Sequence, residues 1–188
     1  HQKAGCTERF VLCKHDCGEY IKYREQFSHE DEKHLLQQDV HLAAEDGNLE
    51  RVKDHLHGRD GARQFPVSCR DEFGDNCLHY ACRSMQHEVM KYLIAQKCDV
   101  NTKGAYGRTP LMVSAALNDT AGMELLQRAG ADLELSDELE GWTALHHAVF
   151  GCREDAAELL VQSGASLNAP DRRRLDTPLH VALVGGGE

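Results

Sequence analysis

No stretch of this 188-residue sequence approaches the roughly 18 consecutive apolar residues of a membrane-spanning helix, so no membrane partner is expected. The N-terminal "HQKAGCTERF" has no apolar signal core, so secretion is not expected either. Positive charge is short: 21 Lys and Arg stand against 31 Asp and Glu, for a formal net charge of −10. Such a chain repels phosphate backbones, and nucleic acid is not an expected partner. The one basic run, "DRRRL", is flanked by Asp171 and Asp176 and reads as a solvated loop tip. Disulfide-like spacing is missing as well. Cys6, Cys13 and Cys17 cluster at the start, whereas Cys69, Cys77, Cys82, Cys98 and Cys152 are scattered. With no signal core, this predicts a reduced, intracellular protein, placed in the cytoplasm with the nucleus left open.

Catalytic constellations are absent too. There is no Gly-rich phosphate loop, since the final "GGGE" is followed by no Lys-Ser/Thr pair. No Ser-His-Asp ordering and no paired carboxylates in an apolar setting occur. His146 and His147 are adjacent and point in different directions on a helix, so they cannot easily share an ion. We therefore expect no enzyme and no small-molecule substrate. What is present is a folded composition: 41% hydrophobic and 28% charged residues.

The long part of the chain repeats itself. "GDNCLHYAC", "GRTPLMVSA", "GWTALHHAV" and "LDTPLHVAL" align, with "QDVHLAAEDG" as a weaker fifth. Their central apolar residues are Val40, Leu78, Leu111, Leu145 and Leu179, separated by 38, 33, 34 and 34 residues. A second motif keeps the same phase: "KCDVN", "GADLE" and "GASLN". Two motifs in phase at this period resemble the ankyrin repeat family over residues 38–188. The resemblance implies an all-α solenoid of stacked antiparallel helix pairs with a turn loop at each junction. About five repeats are expected, the last truncated.

Local physics agrees with that reading. "TALHHAVFG" reads as a short first helix capped by Thr143, and "REDAAELLVQSG" as the second. Ala156, Leu159 and Leu160 share a face of it, and Gly164 suits a left-handed C-cap. One such pair cannot bury its apolar face alone, so neighbours must stack. Departures from the pattern are visible. Cys77 and Ala144 replace the motif proline, Met112 replaces the motif histidine, and the first connection is long. The last repeat stops after one helix, which suggests a fragment of a longer array. His41, His79, His146 and His180 share one phase. By the resemblance they are structural, tying one repeat's loop to the next. Cys82 and Cys98 read as inert buried thiols.

The start of the chain is a separate matter. In "CKHDCGEYIKYREQFSHEDEKH" three residues lie between Cys13 and Cys17, eleven between Cys17 and His29, and four between His29 and His34. Ligands at such spacing can converge on one tetrahedral ion. "RFVLC", "CG" and the "HEDEKH" ending are similar to the TRAF-type zinc finger, a short hairpin plus a helix. The resemblance implies a finger over 1–37, with Cys13, Cys17, His29 and His34 as ligands. His34 departs from the cysteine usual there. His1 and Cys6 look like the tail of a preceding finger at 1–6. Four protein ligands close the site, so the zinc is expected to be a structural cofactor rather than a catalytic one.

These readings converge on a non-enzymatic interaction scaffold or adaptor whose partners are other proteins. By the resemblance, binding uses the concave face and the loop tips. Tyr80, Val113 and His147 follow the motif leucine by two, Trp142 and Arg108 lie at loop-to-helix junctions, and Tyr106 lies on a tip. Tyr, Trp and Arg are frequent anchors of binding hot spots. A different class is also open: the substrate-recognition part of a ubiquitin ligase with a RING domain upstream.

Overall fold

The computed structural model describes residues 39–57 and 66–185, together with the short strands near the N-terminus. The chain divides into two compact units, His1–Leu36 and Gln37–Glu188. In the first, β1 (Val11–Leu12) pairs antiparallel with β2 (Tyr20–Ile21), Val11 opposite Ile21 and Leu12 opposite Tyr20. The expected ligands Cys13, Cys17, His29 and His34, and the pair His1 and Cys6, lie outside the described residues.

The second unit is built from helix pairs. Residues 39–45 form α1, followed by α2 (Leu49–His57). The next pairs are α3 (Cys77–Arg83) with α4 (His87–Ala95), and α5 (Pro110–Ala116) with α6 (Thr120–Arg128). Then come α7 (Ala144–Phe150) with α8 (Glu154–Gln162), and finally α9 (Pro178–Gly185). Among the described residues of this unit, the exceptions to helix and loop are one isolated bridge, Arg70 to Asn76, and a 3-10 turn at Ala105–Gly107.

Helices α3, α5 and α6 start where the sequence supplies a side-chain cap. Asn76 Oδ1 accepts from the Leu78 and His79 amides at 3.1 and 3.2 Å, opening α3. Thr109 Oγ1 accepts from the Met112 amide at 3.4 Å, and Pro110 takes the first helical position, where its missing N–H is not needed. Cys77 and Ala144 occupy the same position in α3 and α7. Turns between the paired helices adopt positive φ at Gly47, Met85, Asn118 and Cys152. Gly47 and Asn118 are residues that favour this region, whereas Met85 and Cys152 are not and are held there by the packed helices on either side. Gly164 ends α8 at φ 89°, the left-handed cap expected from sequence.

Packing is in two layers. The first helices stack α3 on α5, α5 on α7 and α7 on α9, and the second helices stack α2, α4, α6 and α8. Val40, Leu78, Leu111 and Leu145 are buried between them, as their shared phase requires. The second helices close the core with residues three and four apart: Val89, Met90 and Leu93, then Met123 and Leu126, then Ala156 and Leu160. Each fully buried Leu or Met contributes about 1.5–3 kcal/mol. Leu179, in phase with the buried leucines, is 69% exposed on α9.

A candidate partner-binding edge of loop tips

Between a second helix and the next first helix the chain makes a hairpin-like loop. Each loop is closed by one backbone bond in the same place: Asp71 to Asp75 at 2.9 Å, Gly104 to Arg108 at 2.8 Å, Asp137 to Trp142 at 2.9 Å and Asp171 to Asp176 at 2.8 Å. Three of the loops are organised around a carboxylate. Asp71 Oδ1 accepts from the Phe73 and Asp75 amides. Asp137 Oδ1 accepts from the Glu140, Gly141 and Trp142 amides at 3.0, 2.9 and 3.1 Å. Asp171 Oδ1 accepts from the Arg173, Arg174 and Asp176 amides. At the second loop Gly104 takes this place. A side chain there would meet Asp75 and His79, and Asp75 Oδ1 accepts from the Ala105 amide at 2.8 Å instead.

The loops are also tied sideways. The Glu138 amide donates to Tyr106 O at 2.9 Å, and the Arg172 amide to Glu140 O at 2.7 Å. Histidine makes further ties. The Asn76 amide donates to His79 Nδ1, and His79 Nε2 bonds Arg108 O of the following loop at 3.0 Å. The Thr143 amide donates to His146 Nδ1, and His146 Nε2 bonds Asp176 O at 3.3 Å. These are the structural ties expected of the in-phase histidines. Met112 keeps half of the arrangement, since its Sδ accepts from the Thr109 amide at 3.4 Å. His180 repeats the cap contact to the Thr177 amide.

The surface residues named from sequence fall into two groups. Tyr106 is 64% exposed on its tip, and Arg108 is exposed with its guanidinium 5.9 Å from the Tyr106 ring. The other four are occupied within the fold. Tyr80 is half-buried, stacks on His41 at 4.9 Å and donates to Asp71 Oδ2 at 2.7 Å. Val113 is half-buried against the core. Trp142 is half-buried among His146, His147 and Phe150, and its indole N–H is buried without a hydrogen-bond partner among the described residues. His147 is buried, 7% exposed, with Nε2 3.0 Å from Asp137 Oδ2. It therefore braces its own loop in this conformation and does not face outward.

Sequence reasoning passed over Phe73, Leu139 and Leu175. They are 65%, 47% and 72% exposed. With Tyr106 they place one exposed apolar side chain in each of four successive loops. A single apolar residue between charged ones carries no periodic signal; only alignment by loop, tip against tip, could have found the row.

Burial holds the imidazoles of His79, His146 and His147 below the ordinary histidine range. At His147 the Arg108 charge adds to that effect and Asp137 opposes it. All three stay neutral where the unfolded chain's imidazoles, near 6.5, begin to protonate. The unfolded state then binds more protons, so stability is lost as pH falls through about 6.5. The melting temperature is expected to drop by several degrees between about pH 7.5 and about pH 5.5. A melt unchanged across that window would show that these imidazoles carry no linkage to folding.

Stacked helix pairs joined by laterally bonded loops define the second unit as an α-helical repeat solenoid. The family described as ankyrin repeats, three copies, matches residues 40–137 and 115–188. The chain belongs to the ankyrin repeat family, whose repeats are generally protein–protein interaction modules. Relatives are diverse. The chain is 29% identical over 152 residues to the tyrosine-protein kinase HTK16 of Hydra vulgaris, covering 80% of this chain and 20% of that protein. It is 31% identical over 134 residues to the probable 26S proteasome regulatory subunit p28 of Saccharomyces cerevisiae, covering 71% and 58%. Against the nuclear factor NF-kappa-B p105 subunit of Gallus gallus it is 29% identical over 120 residues, covering 62% and 12%. The chain thus spans less than two thirds of the length of each of these relatives. No helix among the described residues is long and apolar enough to cross a membrane.

Proposed function

We propose that this protein is a non-enzymatic scaffold or adaptor that grips partner proteins along the loop-tip edge and the adjoining concave face. The row Phe73, Tyr106, Leu139 and Leu175 carries this reading. Single exposed apolar residues are ordinary, but one per loop in four successive loops is a repeated anchor. The backing is rigid, because each of these loops is closed by a backbone bond and neighbouring loops are tied sideways. A preformed edge loses little ordering entropy on binding.

At the N-terminus the reading adds a structural zinc held by Cys13, Cys17, His29 and His34. The paired strands Val11–Leu12 and Tyr20–Ile21 flank Cys13 and Cys17 in the chain, which supports a finger there. Four ligands leave the ion no open position, so it would supply folding free energy and no chemistry.

Photo-crosslinking tests the scaffold. A photoreactive residue at position 106 is expected to capture partner proteins from a native lysate, and one at the exposed Glu158 of α8 is not. The triple variant Phe73→Ala, Tyr106→Ala, Leu139→Ala is expected to weaken any captured partner more than tenfold, through about 2 kcal/mol or more of lost anchoring. Its melting temperature should barely move, since all three side chains are exposed. Equal capture at both positions, or unchanged affinity in the triple variant, would remove the edge from consideration. Capture dominated by ubiquitin-conjugating enzymes would instead favour the ligase reading.

A further inference from the structure

One cluster in the array breaks the repeat pattern in two places at once. In α3 and α7 the in-phase histidine reaches a backbone carbonyl of the next loop with Nε2. His41 occupies that phase in α1, is 2% exposed, and its Nε2 faces the Cys69 sulfur at 3.9 Å instead. Cys77 stands where Pro110 and Pro178 start other first helices, and its sulfur lies 3.9 Å from that of Cys69. The three donor atoms all lie within 4.8 Å of one another, and all three residues are buried.

The backbone explains the meeting. Arg70 and Asn76 pair antiparallel, so the residues just outside them, Cys69 and Cys77, are brought face to face. A turn from Pro66, with the Cys69 amide donating to Pro66 O at 2.9 Å, aims Cys69 inward. Tyr80 stacks on the His41 ring at 8° and is itself anchored by Asp71, which fixes the imidazole plane.

We propose that His41, Cys69 and Cys77 hold a thiophilic d10 cation, zinc or cuprous copper, inside the repeat array and apart from the N-terminal Cys/His stretch. With metal–sulfur bonds of about 2.3 Å and a metal–nitrogen bond of about 2.0–2.1 Å, a three-coordinate site sets sulfurs about 4.0 Å apart and sulfur and nitrogen about 3.8 Å apart. The observed sulfur–sulfur and Cys69 sulfur–nitrogen separations are both 3.9 Å. The remaining pair needs to close by no more than about 1 Å to complete the triangle. The chemistry also fits, since two soft thiolates and one borderline imidazole select such ions over magnesium or calcium. The shared hydrogen bond with Cys77 outweighs burial and, with His41, pulls the Cys69 thiol below its ordinary value. The same contact and burial push Cys77 up. Binding the cation as a dithiolate would release both thiol protons, so uptake is expected to weaken as pH falls. Burial pushes the Cys82 and Cys98 thiols up to about 12.

The full chain carrying Cys13→Ser and Cys17→Ser, which disables the N-terminal stretch, is titrated anaerobically in two arms. One uses cobalt(II) as the probe for the zinc position. The other uses cuprous ion in competition with a chromophoric chelator. The expected result is one equivalent bound in at least one arm. In the cobalt arm it appears as thiolate-to-cobalt charge-transfer absorption that zinc abolishes. X-ray absorption on the loaded protein should show two sulfurs and one imidazole. The further changes Cys69→Ala and Cys77→Ala should remove the binding while circular dichroism keeps the helical signal. The arm that binds identifies the ion. The proposal is overturned by uptake in neither arm, by bands that survive loss of both cysteines, or by a Cys69–Cys77 disulfide that forms in place of metal uptake.

Discussion

Asp137→Ala is expected to destabilise the array by about 3–5 kcal/mol, a loss comparable with breaking a buried charged pair. Asp137 is 1% exposed and its carboxylate serves two ends of its loop. One oxygen accepts from three backbone amides, Glu140, Gly141 and Trp142, and the other from His147. Removing it leaves buried donors with no acceptor, and each such orphan costs about 1–3 kcal/mol. Burial pushes the Asp137 carboxyl up, but the Glu140, Trp142 and Gly141 amides and His147 outweigh it and hold it below the ordinary range. The ionised form is thus the one the loop is built around. Asp137→Asn keeps one oxygen for the amides and is expected to lose about half as much. Urea unfolding checks both, with Trp142 as reporter, since it is the only tryptophan and its own amide bonds Asp137. A loss under about 1 kcal/mol in Asp137→Ala would mean that water takes over the carboxylate's partners at this tip.

Leu111→Ala is expected to cost about 2–5 kcal/mol and also to change the form of the transition. Leu111 is 1% exposed in α5, which packs on α3 at one side and α7 at the other. In a solenoid each repeat contacts only its neighbours, so stability is a sum of repeat terms and interface terms. A cavity at the middle of the stack weakens both interfaces of one repeat together. The flanking halves should then unfold separately, with Trp142 fluorescence and helical circular dichroism no longer coincident. Coincident transitions in the variant would show that the interfaces hold the array together despite the cavity.

Much of the architecture was legible in the sequence because a repeat writes its phase into the chain. Leu78, Leu111 and Leu145 recur at the period of one helix pair and are buried as that phase demands. His79 and His146 were readable as ties between loops for the same reason, and the bonds to Arg108 O and Asp176 O bear this out. Gly164 is a local requirement, and it adopts the positive φ expected after a helix. Met85 and Cys152 adopt positive φ with no residue signature, because the packed helices on either side impose the turn.

The site was less legible. His147, two positions beyond the motif leucine, was expected on the binding face, yet its imidazole is buried beside Asp137. Position along a helix places a side chain on one side of it. Whether that side meets solvent depends on how far the neighbouring loop folds over, and the Asp137 loop folds over His147. Phe73, Leu139 and Leu175 were passed over for the opposite reason, as isolated apolar residues in polar loops whose alignment appears only when the loops stack.

The sequence by itself determined the repeat period, the helix pairs, the buried leucine row and the histidine ties, because each depends on contacts at a fixed spacing along the chain. Only the tertiary structure decided which loop residues face outward, which carboxylate holds each tip, and that His41, Cys69 and Cys77 meet. Those outcomes depend on distances between segments that separate repeats bring together, and no local spacing encodes them.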